Sequence, residues 1–224
     1  MANTIKVAID GPSGAGKSTI AKAASAKLGF VYVDTGALYR TVALNAIRKG
    51  ADTKKAEEVI PTLEGLEVSL GFVNGAQHVY LNGEDVSDKI RTPEISMGAS
   101  AASAIPEVRK FLFQLQRDIA DKNNCIMDGR DIGTVVLPDA QVKIFLTASA
   151  EIRAERRYKE LSEKGTDTTY EEVLADVKQR DYNDSHREIA PLKATDESII
   201  VDTSALDLEQ SIARIIQTIE ERMQ

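Results

Sequence analysis

The sequence predicts an α/β protein: a five-stranded, mainly parallel sheet covered by helices, an inserted region with a small antiparallel sheet, and a short helical lid. Three observations predict it. A glycine-rich stretch, Gly11-Pro12-Ser13-Gly14-Ala15-Gly16-Lys17-Ser18, joins an apolar run directly to a helix-forming run. Five short segments are apolar on consecutive positions, the pattern of strands buried on both faces. One stretch between them alternates with period two instead, as a half-exposed antiparallel sheet does.

In chain order, Ile5 to Ile9 is the first core strand, and the glycine-rich loop leads into a helix over Thr19 to Leu28. Phe30 to Val33 is the second core strand. About ninety residues then pass before the next core strand, too many for one crossover helix. In that gap Leu66 to Leu70 and His78 to Leu81 alternate. Val73-Asn74-Gly75-Ala76 supplies the turn between them, and Asn82-Gly83 a second turn signal. Helices flank this sheet; one carries Val108, Phe111, Leu112, Leu115 and Ile119 on a single face. Cys125 to Met127, Val142 to Leu146 and Ser198 to Val201 are the remaining core strands. Leu208, Ile212, Ile215, Ile216, Ile219 and Met223 form the stripe of a C-terminal helix. Asp10, Asp34 and Asp128 follow three of the strands, at the carboxyl ends where open α/β sheets carry their sites.

Composition narrows the function. Of 224 residues, 42% are hydrophobic, enough for a core, and the net charge of -7 argues against a general nucleic-acid surface. Two histidines and one cysteine leave no ligand set for a His/Cys metal cage. Cys125 lies in an apolar run and is expected to be buried; a single cysteine fits a reducing cytoplasm. Lys6 and Asp10 interrupt the N-terminal apolar run, so no signal peptide is expected, and no run is long enough to span a bilayer. A cytoplasmic monomer without membrane or nucleic-acid partners is the expectation.

The glycine-rich stretch is a phosphate-binding loop, and the core is therefore that of a P-loop NTPase. Gly11, Gly14 and Gly16 let the backbone curl so that the N–H groups of the loop point inward at phosphate oxygens, and Gly11, Pro12, Ser13, Gly14, Ala15, Gly16, Lys17, Ser18 and Thr19 are the ATP-binding candidates. The helix behind it adds its positive end. Lys17 supplies a full charge to the β- and γ-phosphates, and the Ser18 hydroxyl is the Mg2+ candidate, with Asp128 reaching the metal through water or pairing with Lys17 or an arginine. Asp10 is read as a structural cap of the loop, and Asp34 as either a helix cap or a partner for a guanidinium. Tyr39 is either core or ligand contact; His78 and His186 are surface residues.

A triphosphate site alone does not separate switch, motor and kinase. The guanine-reading Asn-Lys-x-Asp string and the Leu-Ser-Gly-Gly-Gln signature do not occur. Arginines are placed instead where a second phosphate needs them. Arg40 follows the second strand, Arg130 the third, and Arg153, Arg156 and Arg157 the fourth. Arg180, Asp184 and Arg187 share a helical face. Guanidinium groups grip phosphates in a planar fork, and phosphoryl transfer needs two phosphates brought together with their charge neutralised.

The chain resembles the bacterial cytidylate kinases, a group of nucleoside monophosphate kinases. The resemblance runs nearly end to end and rests on Ile9 to Lys17, Asp34-Thr35-Gly36-Ala37-Leu38-Tyr39-Arg40, Asp128-Gly129-Arg130-Asp131-Ile132-Gly133-Thr134, and Arg180-Asp181 through Ala190-Pro191-Leu192. It implies that Thr35, Tyr39 and Arg40 line the acceptor nucleotide, while Ser100 and Arg109 read the cytosine base. It implies that Arg130 holds the acceptor phosphate and Asp131 the nucleotide, that Arg180 and Arg187 bind phosphate or sugar, and that Asp184 binds the sugar hydroxyls. Arg153 and Arg157 are then lid residues closing over the transferring group. Two departures stand out: Thr35 occupies a position where serine is expected, and Lys17-Ser18-Thr19 replaces the commoner Lys-Gly-Thr, which leaves Thr19 as the alternative metal contact. The implied reaction is ATP with CMP or dCMP, Mg2+-dependent. The implied division is a core of residues 1–35 and 121–224, a lid near 153–168, and an insertion over 36–120. A kinase for UMP or AMP, a nucleotide-gated binding protein, and a small-metabolite kinase are the alternatives.

Overall fold

The structure, a computed structural model, describes residues 4–73, 76–163 and 165–223. The Asn74-Gly75 turn lies outside the described residues. The main sheet has the strand order β2-β6-β1-β7-β8, with β1 Lys6–Asp10, β2 Val31–Asp34, β6 Cys125–Gly129, β7 Val142–Thr147 and β8 Ile199–Asp202. The smaller sheet has the order β3-β4-β5, from Val68–Val73, Ala76–Leu81 and Glu84–Asp85. The predicted α/β class with its two sheets is therefore observed. The chain forms two compact units, residues 5–30 with 125–223, and residue 4 with 31–124.

In the first unit β1 pairs in parallel with β6 on one side and β7 on the other, and β7 pairs in parallel with β8. Every residue of β1 is buried, which is why its central Val7-Ala8-Ile9 is apolar without alternation. Asp10 and Asp128 are strand residues rather than the first residues beyond them: Asp10 pairs with Gly129, and Ile9 with Asp128. Helix α1, Lys17–Leu28, packs against the C-terminal helix α8, Leu208–Met223. The apolar stripe of α8 is shorter than its sequence suggests. Ile215 and Ile219 are fully buried, whereas Leu208 and Met223, at the two ends, are 53% and 42% exposed. Helices α6, Ala150–Glu163, and α7, Tyr170–His186, pack on one another around Ala154, Val173 and Val177. Thr169 starts α7 with a capping box, accepting from Glu172 N–H while Glu172 accepts from Thr169 N–H.

The second unit is built on α2, Thr35–Arg48, whose Leu38, Val42 and Ala46 are fully buried. It packs against α4, Pro93–Ala102, and against the small sheet. Helix α3 is the short Ala56–Val59 segment. In α5, Pro106–Lys122, the buried line runs Val108, Leu112, Gln116 and Ala120, so Phe111, Leu115 and Ile119 flank the core rather than fill it. The Asn82-Gly83 turn joins β4 to β5 with φ of 48° and 81°, the positive pair a type I′ hairpin needs.

Candidate active site

In the first unit the glycine-rich loop begins where β1 ends. Gly11 has φ of 151°, and a Cβ there would lie 1.9 Å from the carbonyl oxygen of Leu146 on β7, so only glycine lets the loop leave the sheet at this point. Gly14 and Gly16 are left-handed, at φ of 77° and 85°, and Gly16 immediately precedes α1. Lys17 is buried at the first position of α1, and its Nζ donates to the Pro12 carbonyl oxygen at 2.7 Å. Burial, and then the charge of Arg130, push this ammonium well below its usual range. A bound anion would relieve both effects. Ser18 Oγ donates to Asp128 Oδ2 at 2.8 Å. A hydroxyl and a carboxylate side by side at the loop form the hard oxygen pair that suits Mg2+. Among the described residues there is no cluster of three or more His, Cys, Asp or Glu side chains for a protein-only metal cage.

Asp10 has a structural role, but not the one expected from the sequence. Its two carboxylate oxygens accept from Ile132 N–H and Gly133 N–H, each at 2.7 Å, so it anchors the segment after β6 rather than capping the glycine loop. Burial raises its carboxyl to about 6 despite those two donors. The anchored segment, Ile132–Val136, is one turn of π-helix that directly follows Arg130 and Asp131.

Arg130 Nε donates to Asp184 Oδ2 at 2.7 Å, and Arg187 approaches Asp131 at 3.8 Å. Burial alone would raise the Asp184 carboxyl; Arg130, Arg180 and Arg187 hold it below the ordinary value instead. Residues far apart in sequence thus form one mixed cluster of three guanidinium and two carboxylate groups. Arg187 does not sit on the helical face with Arg180 and Asp184: it is the residue after α7, extended at ψ of 142°, with Nε on the Ala190 carbonyl oxygen at 2.7 Å.

The three arginines after β7 part company. Arg153 is buried in a fork with Asp181 of α7, at 2.9 and 2.5 Å, and also donates to the carbonyl oxygens of Ser13 in the glycine loop and of Ala148. Arg156 donates to the Thr203 carbonyl oxygen at 2.9 Å. Arg157 pairs with Glu160 on the exposed side of α6. The regular three-and-four spacing therefore conceals three different destinations. Asp181 carries no sequence signal of this role, because its partner is 28 residues away.

In the second unit Asp34 performs both of the roles open to it. Oδ1 accepts from Ala37 N–H at 2.9 Å, capping α2, and Oδ2 accepts from Arg40 at 2.8 Å. Thr35 is buried in the first turn of α2. Tyr39 touches the core of this unit, and the Arg109 guanidinium lies 5.8 Å from its ring centroid. Arg109 also donates to the Ser103 carbonyl oxygen at 3.1 Å from α5, and Ser100 is half-buried on α4. His78 pairs with Asp85 on the small sheet, and His186 stacks on Tyr182 at 4.1 Å, both at the surface as expected.

Comparison with known proteins gives a consistent result. The family model described as cytidylate kinase matches residues 7–221. A cytidylate kinase from Caldanaerobacter subterraneus subsp. tengcongensis is 50% identical over 96% of this chain and 95% of its own length. One from Caldicellulosiruptor saccharolyticus is 47% identical over 95% and 94%, and one from Pasteurella multocida 44% identical over 100% and 98%.

Proposed function

The chain belongs to the cytidylate kinase family, and on that premise we propose that it transfers the γ-phosphoryl group of ATP to CMP, and to dCMP, releasing ADP and CDP or dCDP. The observation that carries this reading is the family match over residues 7–221, which includes the glycine-rich loop and every arginine discussed above.

ATP lies with its β- and γ-phosphates in the amide-lined loop of Gly11 to Thr19, where Lys17 exchanges its Pro12 partner for phosphate oxygens. Ser18, with Asp128 through water, would hold Mg2+, which neutralises phosphate charge when bound. Thr35, Tyr39 and Arg40 line the acceptor, and Ser100 and Arg109 read the cytosine edge by hydroxyl and guanidinium. Arg130 turns from Asp184 to the acceptor phosphate; Asp131, Arg180, Asp184 and Arg187 hold the rest of its phosphate and ribose. An oxygen of the CMP phosphate attacks the γ-phosphorus, and the bond to the β-bridging oxygen breaks to leave ADP. Lys17, Arg130 and Arg180 spread the charge, and no protein base is required. Arg153 steadies the loop through Ser13, and Arg157 is free to leave Glu160 for the transferring group.

The core is assigned to residues 1–35 and 121–224 with a lid near 153–168, and the acceptor-binding insertion to 36–120. No helix among the described residues is long and apolar enough to cross a membrane. A cytoplasmic monomer acting on free nucleotides is the reading. A coupled ADP-release assay with CMP, dCMP, UMP and AMP in parallel tests it. CMP and dCMP should be turned over fastest; preference for UMP or AMP, or ADP release without an acceptor, would overturn it.

A further inference from the structure

We propose that Gln77 is a positioning residue for the acceptor-binding segment, and that the small antiparallel sheet sets monophosphate affinity by holding the backbone of Asp34. The proposal rests on the CMP kinase reading above. Gln77 lies on β4 opposite Phe72 of β3. Its side chain turns away from that hairpin onto main chain 43 residues earlier. Oε1 accepts from Asp34 N–H at 2.8 Å, and Nε2 donates to the Asp34 carbonyl oxygen at 3.4 Å. A primary amide offers one acceptor and two donors, so it reproduces what a neighbouring strand residue presents to a peptide unit. Asp34 is buried, and its backbone groups need such partners.

Asp34 is also the point where β2 ends and α2 begins, with φ of -81° and ψ of 95°. Its carboxylate is shared between Ala37 N–H and Arg40, with Arg91 at 3.8 Å. Thr35, Tyr39 and Arg40 all leave the backbone within two turns of this residue. A contact that fixes the peptide of Asp34 therefore fixes the start of all three without touching the nucleotide. Gln77 reads no base and carries no charge, and its effect falls on the acceptor alone.

The test is Gln77→Met, which keeps side-chain length and removes both hydrogen bonds, beside Ser87→Ala. The latter removes the Ser87 Oγ contact to Val79 N–H in the same sheet and leaves Asp34 untouched. For Gln77→Met, KM for CMP should rise about five- to tenfold, the scale of one hydrogen bond, with KM for ATP and kcat within about twofold of wild type. For Ser87→Ala, KM for CMP should stay within about twofold. Hydrogen exchange at the Asp34 amide should quicken about tenfold in Gln77→Met and not in Ser87→Ala. An unchanged KM for CMP in Gln77→Met, an equal rise for both substrates, or the same rise in Ser87→Ala overturns the proposal. Wild-type protein that fails to turn over CMP sinks the kinase reading, and the exchange rate at Asp34 then still decides whether Gln77 holds that peptide.

Discussion

One carboxylate can both end a strand and aim an arginine, and Asp34 does so, with Ala37 N–H on one oxygen and Arg40 on the other. Lys17 donates to the Pro12 carbonyl oxygen and Arg130 to Asp184, partners that phosphate oxygens would replace on the proposed reading. Lys17→Ala and Arg130→Ala should each lower kcat/KM by two orders of magnitude or more, roughly 3 kcal/mol of transition-state stabilisation. Steady-state kinetics check this, and near-full activity in Arg130→Ala would remove it from the acceptor phosphate. Ser100→Ala and Arg109→Met should weaken CMP more than ATP, as titration of each nucleotide by calorimetry would record; equal losses would deny them a base-reading role. The sequence pointed to these residues because charge and hydroxyl chemistry is visible in single letters. It did not point to Asp181 or Gln77, whose partners are 28 and 43 residues distant and follow no repeat.

Elements impose their own constraints, and the clearest falls on the loop after β1. The chain leaves the sheet so close to β7 that an alanine Cβ at position 11 would sit 1.9 Å from the Leu146 carbonyl oxygen, and the atoms it meets are strand backbone rather than a flexible side chain. Gly11→Ala should therefore cost 3 kcal/mol or more of stability and abolish ATP binding together, roughly the scale of a severe steric clash. Urea unfolding and nucleotide titration of the same sample measure both; retained binding at normal stability would show that the loop can move off β7. Strands were legible because burial on both faces leaves a continuous apolar run. Helix α8 was legible in place but not in the length of its stripe: Leu208 and Met223 fit the period, yet lie at helix ends that are exposed. The π turn at Ile132–Val136 had no signature, because it is drawn into place by Asp10 from another strand.

At the scale of the whole molecule, Asp10 links folding to pH. Burial raises its carboxyl from 3.8 to about 6, so between those values the folded state holds a proton that the unfolded state has lost. Stability contributed by this residue therefore falls as pH rises through that window. In Asp10→Asn the dependence should vanish, by an amount on the order of 3 kcal/mol across the window. The difference in Tm between wild type and variant, followed from pH 3.8 to about 6, should shift toward the variant as pH rises. A constant difference would mean that Asp10 does not titrate there. The strand-loop-helix order, the five core strands and the phosphate-binding loop were determined by the sequence alone, since each depends on neighbours a few residues apart. Only the tertiary structure decided which guanidinium meets which carboxylate, that Asp10 grips the segment after β6, and that Arg153, Arg156 and Arg157 diverge. Those outcomes depend on the order and register of parallel strands, which bring together residues that no local pattern connects.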